Sequence, residues 1–130
     1  MNATQVIDAM IERLKGGHSV GAYARAADGS SVPLEDSDDS CKHCILGAMH
    51  YVIDKNYDEC SVTKALVMSA LWVTAKGSPP KFNDESSTEE ILDALQAAKA
   101  LVRFDYEDRG IATSLPPLVS LIQRNLAAVP

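Results

Sequence analysis

The chain has 130 residues, 46% of them hydrophobic, with 12 Lys plus Arg against 18 Asp plus Glu and a net charge of −6. That length supports one domain with its own core, so residues 1–130 are expected to form a single helical domain. An acidic chain without a basic run lacks the electrostatic footprint of direct nucleic-acid binding, and no apolar run reaches membrane-spanning length. Charges interrupt the first residues where a signal peptide would be apolar, and three cysteines, Cys41, Cys44 and Cys60, are an odd set for a disulfide framework. The expected compartment is the cytoplasm.

Val6, Ile7, Met10, Ile11 and Leu14 form a one-sided stripe, which predicts a first helix from about Thr4 to Lys15, stopped by Gly16-Gly17. Next, Tyr23-Ala24-Arg25-Ala26 and Ser31-Val32-Pro33-Leu34 flank Asp28-Gly29, a favoured hairpin dipeptide, and predict a short two-stranded ribbon with an edge at Pro33. The acidic stretch Glu35-Asp36-Ser37-Asp38-Asp39-Ser40 reads as a solvated loop. Ser40 is expected to N-cap a second helix over Ser40 to Ile53.

A third helix, apolar around most of its circumference and carrying Trp72, is expected to start at Ser61 and end at Gly77-Ser78-Pro79-Pro80. Ser87-Thr88-Glu89-Glu90 is a capping box ahead of a fourth helix through Ile91, Leu92, Leu95, Ala98, Leu101 and Val102. Pro116-Pro117 opens a last helix through Leu118, Leu121, Ile122 and Leu126. The expected fold is therefore mainly α, about five helices in one domain, with a short two-stranded β-ribbon after helix one.

Chemistry is concentrated at Cys41-Lys42-His43-Cys44. Zinc would have to draw on Cys41, Cys44, His50 and Cys60, yet the second closely spaced ligand pair of a structural site is missing, so no metal or other cofactor is expected. A dithiol redox site needs a βαβ framework that the pattern lacks. Cys44 alone could serve as a nucleophile, with His18, His43 or His50 as base, making the chain a small hydrolase or transferase. Lys81-Phe82-Asn83-Asp84-Glu85, held between a double proline and a helix cap, is expected to be a loop, and Asn83 and Asp84 suit either a turn or a ligand.

Taken together, the Arg25–Gly29 segment, the acidic loop, Cys44-Ile45-Leu46-Gly47-Ala48-Met49 and Phe82-Asn83-Asp84 followed by Thr88-Glu89-Glu90-Ile91-Leu92 resemble an uncharacterised family of small bacterial and phage proteins. The pattern is Cys-x-x-Gly-Ala-apolar, then Trp-Asn-Asp, then Thr-x-x-Glu. Cys44, Gly47, Ala48, Asn83 and Asp84 match it, and Phe82 stands in the Trp position. The resemblance implies an architecture and a phage or mobile-element setting, with no activity attached. The expected function is non-enzymatic binding. The occupant is either a small molecule such as a nucleotide signal, held by Arg25, Lys42, Lys81, Asn83 and Asp84, or a host protein that is blocked by docking. Homodimerisation through an edge strand or the apolar last helix is a further expectation.

Overall fold

The computed structural model describes residues 2–55 and 61–102. Helix α1 spans Ala3–Leu14. Asn2 caps it through a reciprocal box: its side chain accepts the Gln5 N–H at 2.9 Å and its own N–H donates to Gln5 Oε1 at 2.8 Å. Ala3, Val6, Ile7, Met10 and Leu14 form its buried face. The Gly17 N–H closes back on the Leu14 carbonyl at 3.0 Å, with Gly17 at φ 126°, a left-handed value suited to glycine.

The ribbon after α1 exists, but its second strand is not the expected one. Strand β1 (Ala24–Arg25) pairs antiparallel with β2 (Lys42–His43), in the register Ala24 to His43 and Arg25 to Lys42. The Asp28-Gly29 turn forms, closed by Gly29 N–H to Ala26 O and Ala26 N–H to Ser30 O, both 2.9 Å. Beyond it the hairpin reduces to an isolated bridge between Arg25 and Ser31. Pro33 has no N–H to carry that ladder further. The chain runs on through a 3-10 turn at Leu34–Asp36 and returns to β1 at residue 42.

That return also corrects the second helix. Residues expected in its first turn are extended in β2, so α2 spans Ile45–Lys55. Ser40 does not cap it; its N–H and hydroxyl both donate to Asp38 Oδ1 and close a local turn. Helix α3 covers Ser61–Thr74. It ends in the left-handed pair Lys76 (φ 57°) and Gly77 (φ 83°). The double proline behind it starts a helix instead of merely ending one: α4 spans Pro79–Glu85, with Ser78 accepting the Lys81 N–H at 3.4 Å. Proline's fixed φ and missing N–H suit a first helical turn, so residues 81–85 are helical and not a loop. Helix α5 (Thr88–Val102) carries the expected box, with Ser87 N–H to Glu90 Oε1 and Glu90 N–H to Ser87 Oγ, both 3.1 Å. The expected last helix lies outside the described residues.

Helix α5 packs on α3 and α1, and α1 packs on α2. Their shared core includes Ile7, Met10, Leu14, Ile45, Met49, Leu66, Leu71, Ile91 and Leu95. Trp72 is only half-buried. The loop before β1 lies close against α2: a Cβ added at Gly47 would lie 2.2 Å from the Tyr23 carbonyl oxygen and 3.0 Å from its carbon. Both are backbone atoms, so no rotamer change relieves the clash. Gly47→Ala should therefore lower the unfolding free energy in denaturant titration by about 1–3 kcal/mol, although alanine is the better helix former. An unchanged or raised midpoint would show that the loop is free to move away.

Candidate functional site

The loop of residues 18–23, the start of α2, and α4 meet at Asn83, which is only 2% exposed. Its Oδ1 accepts the Ile45 N–H at 3.0 Å. Its Nδ2 donates to the Ser19 carbonyl at 2.8 Å and to Asp84 Oδ1 at 3.0 Å. Asp84 Oδ1 also accepts the Gly21 N–H at 3.1 Å. The Asn83 carbonyl lies 3.1 Å from His18 Nε2, and His18 Nδ1 lies 2.7 Å from Thr88 Oγ1. A carbonyl only accepts, so Nε2 carries the proton and a neutral ring takes the Thr88 hydroxyl at Nδ1.

These bonds explain how α2 starts without a Ser, Thr or Asp cap. The first amides of a helix have no partners inside it. Here the Cys44 N–H donates to the Tyr23 carbonyl at 3.1 Å, Asn83 takes the Ile45 N–H, and the Gly47 N–H donates to Cys44 Sγ at 3.2 Å. The cap is assembled through space from three segments.

A cleft of about 270 Å³ opens beside this junction. Ala22, Tyr23, Leu46, Pro79 and Pro80 give it apolar lining, and Cys44, Asn83 and Asp84 contribute its polar side chains. That volume is at the small end of ligand sites. Burial pushes the Cys44 thiol upward from its ordinary range, outweighing the opposing pull of the Gly47 and Leu46 amides, and the Asp84 carboxylate adds a smaller upward push. His18 has both ring nitrogens engaged, and among the described residues no imidazole is hydrogen-bonded to the Cys44 sulfur. A protonated thiol without a base is a weak nucleophile. Cys44 should accordingly react with iodoacetamide more slowly than free cysteine, with a rate still climbing above pH 9.0. A rate that levels off below neutral pH would instead identify an activated thiolate.

Residues 1–101 match DUF6197, a family of unknown function. The chain belongs to this family. Comparison with curated proteins, and with solved structures, finds no match. Of the residues that carried the resemblance, Cys44, Gly47, Asn83 and Asp84 come together at the junction, while Ala48 is buried in the core.

The structure distributes the other expected ligand residues of this DUF6197 chain over separate surfaces. Arg25 and Lys42 line a second cleft of about 640 Å³. Lys81 faces a third, with Phe82, Glu85 and Glu90. Cys41 and Cys44 are free thiols, and the Cys41 Sγ lies 3.7 Å from Asp38 Oδ1. Cys60 lies outside the described residues, among which no group of three or more His, Cys, Asp or Glu side chains is placed to hold a metal.

A cluster that the sequence reading did not single out lies on the far side of β2. The buried His43 ring stacks on Tyr51 with centroids 4.6 Å apart. Its Nε2 lies 3.1 Å from Ser37 Oγ, whose own proton goes to the Leu34 carbonyl at 2.7 Å, so Nε2 is the donor and Nδ1 keeps a bare lone pair. Asp39 then ties the cluster to two helices. It accepts the Tyr51 hydroxyl at 2.6 Å and the Lys55 ammonium at 2.9 Å, and its backbone carbonyl accepts Arg13 Nη2 at 2.7 Å. The Tyr51 hydroxyl, followed by Lys55, holds the Asp39 carboxyl down to about 2. Stacked aromatics and cations do leave a sequence signal in the spacing of Tyr51 and Lys55 on one helix face, but their carboxylate partner is too distant in the chain to be read from it.

Burial, reinforced by the Arg13 guanidinium, lowers His43 to about 4 from 6.5. Because the unfolded state takes up the proton first, stability is full above about pH 6.5 and is lost as pH falls from there towards 4. The loss attributable to His43 should be about 3 kcal/mol across that window. Denaturant titrations at stepped pH should show a shallower acid slope in His43→Phe; identical slopes would assign the loss to other groups.

Proposed function

We propose that this protein is a non-enzymatic binding protein whose apolar cleft receives a small molecule with an apolar body and a cationic or hydrogen-bond-donating end. The observation that carries this reading is the make-up of the cleft: Tyr23, Leu46, Pro79 and Pro80 supply apolar lining, and Asp84 is the charged side chain among the residues that line it. An apolar pocket with a few fixed polar groups is the usual form of a small-molecule site. Asp84 Oδ1 is already engaged by Gly21 and Asn83, which fixes the carboxylate in place before any ligand arrives. The same carboxylate repels phosphate, so a nucleotide is not the occupant of this cleft. The protonated, half-buried Cys44 supports binding over covalent chemistry.

Protein-observed NMR titration with phenethylamine and with phenylacetate, which share a ring and differ in the sign of the charged end, tests this directly. The amine should shift the signals of Tyr23, Cys44 and Leu46 and bind about two- to fivefold tighter than the acid, the range that an exposed carboxylate supports. Asp84→Asn should remove the preference, and Leu46→Trp should abolish both interactions by filling the cleft. Equal binding of the two probes, or none, would sink the reading.

A further inference from the structure

The second cleft presents an electrostatic arrangement that folding alone does not account for. Arg25 and Lys42 are directly opposed partners in the β1–β2 register. Side chains at such positions share a face of the ribbon, and like charges there are destabilising. Neither residue has a carboxylate within ion-pair distance among the described residues, whereas Arg13 and Lys55 share Asp39, Lys15 pairs with Glu12 and Lys99 pairs with Asp8. The acidic neighbours in the chain are turned to other tasks: Asp28 accepts from Ser30, and Asp38 accepts from Ser40 and Cys41.

The two cations lie over glycine backbone instead. A Cβ added at Gly17 would sit 3.1 Å from Lys42 Nζ, and one at Gly21 would sit 3.4 Å from Arg25 Nη2. Arg25 is oriented by donating through Nε to the Val20 carbonyl at 3.0 Å and through Nη1 to the Gly29 carbonyl at 2.9 Å. Its remaining N–H groups, Nη2 among them, have no acceptor among the described residues. Lys42 is exposed and its ammonium makes no hydrogen bond among them. Both residues line the cleft of about 640 Å³, whose walls also include Val20 and Ala26.

From this we infer a second ligand site, an anion site that takes a small organic phosphate. The phosphoryl group would lie between the held Arg25 guanidinium and the Lys42 ammonium, with the organic part against Val20 and Ala26. A positioned guanidinium fork with a neighbouring point charge is suited to a phosphate oxyanion, and a bound dianion relieves the like-charge opposition of the ribbon. His18 also lines this cleft, but Thr88 and Asn83 occupy its ring nitrogens, so it serves as wall and not as donor. The site is separate from the apolar cleft, and neither depends on the other's occupant.

NMR titrations with inorganic phosphate and with adenosine 5′-monophosphate, each against sodium chloride at matched ionic strength, test the inference. Shifts should be localised to Gly17, Gly29 and Lys42, with the nucleotide binding tighter than the bare anion. Arg25 holds two loop carbonyls and its removal could unfold the ribbon, so the informative variant is Lys42→Gln. It should weaken phosphate binding by at least about fivefold and raise the melting temperature in phosphate-free buffer, where it removes the like-charge opposition. Matching shifts in chloride, equal affinity in Lys42→Gln, or an unchanged or lowered melting temperature in that variant would overturn the inference.

Discussion

The Asn83 carboxamide is the interaction on which the arrangement around both clefts depends. One side chain, donating to Ser19 and accepting from Ile45, fastens the 18–23 loop to α2 from a third element, α4. A buried amide with good partners at both ends is directional in a way that apolar packing is not. Leaving either Ile45 N–H or the Ser19 carbonyl without a partner would cost about 1–3 kcal/mol for each. The loop held in this way contributes Tyr23 to one cleft and, through His18, Ser19 and Val20, part of the wall of the other.

Charge is distributed unevenly around that scaffold. Asp39 gathers Arg13, Lys55 and Tyr51 around one carboxylate, with both cations also over the Tyr51 ring at 5.3 and 5.6 Å from its centroid. Exposed pairs of this kind contribute little individually, but Asp39 joins the acidic segment to α1 and α2 at once. The opposite face of the ribbon holds Arg25 and Lys42 without such a partner. A chain of net charge −6 thus keeps a local cationic surface on one side of a four-residue ribbon.

The parts of the fold that were legible in the sequence are those governed by local rules. The stripe of α1 and the Ser87–Glu90 box of α5 appear as expected because their partners lie within one turn. The ribbon partner and the start of α2 were misread for one reason: strand β2 and the Asn83 cap depend on residues far away in the chain, and Ser40 looked like a local cap only while that pairing was invisible. The double proline was read as a terminator when it also opens α4, since a helix end and a helix start carry the same signal there. At the site, Cys44, Asn83 and Asp84 lie together, whereas Arg25, Lys42 and Lys81, expected to share a ligand with Asn83 and Asp84, line other clefts. Cys44, Asn83 and Asp84 all line the apolar cleft, but the Asn83 carboxamide is taken up by bonds within the protein.

The contact between Gly47 and residue 23 runs through the main chain, with the Tyr23 carbonyl seated where any Cβ would stand. Position 23 is therefore located by its backbone, while the residue as a whole is 56% exposed. The geometry of the cleft and the chemistry of its rim are thus set by different atoms of one residue. A substitution at 23 can retune what the cleft accepts without moving the wall, which makes this position a natural point of diversification on an otherwise fixed frame.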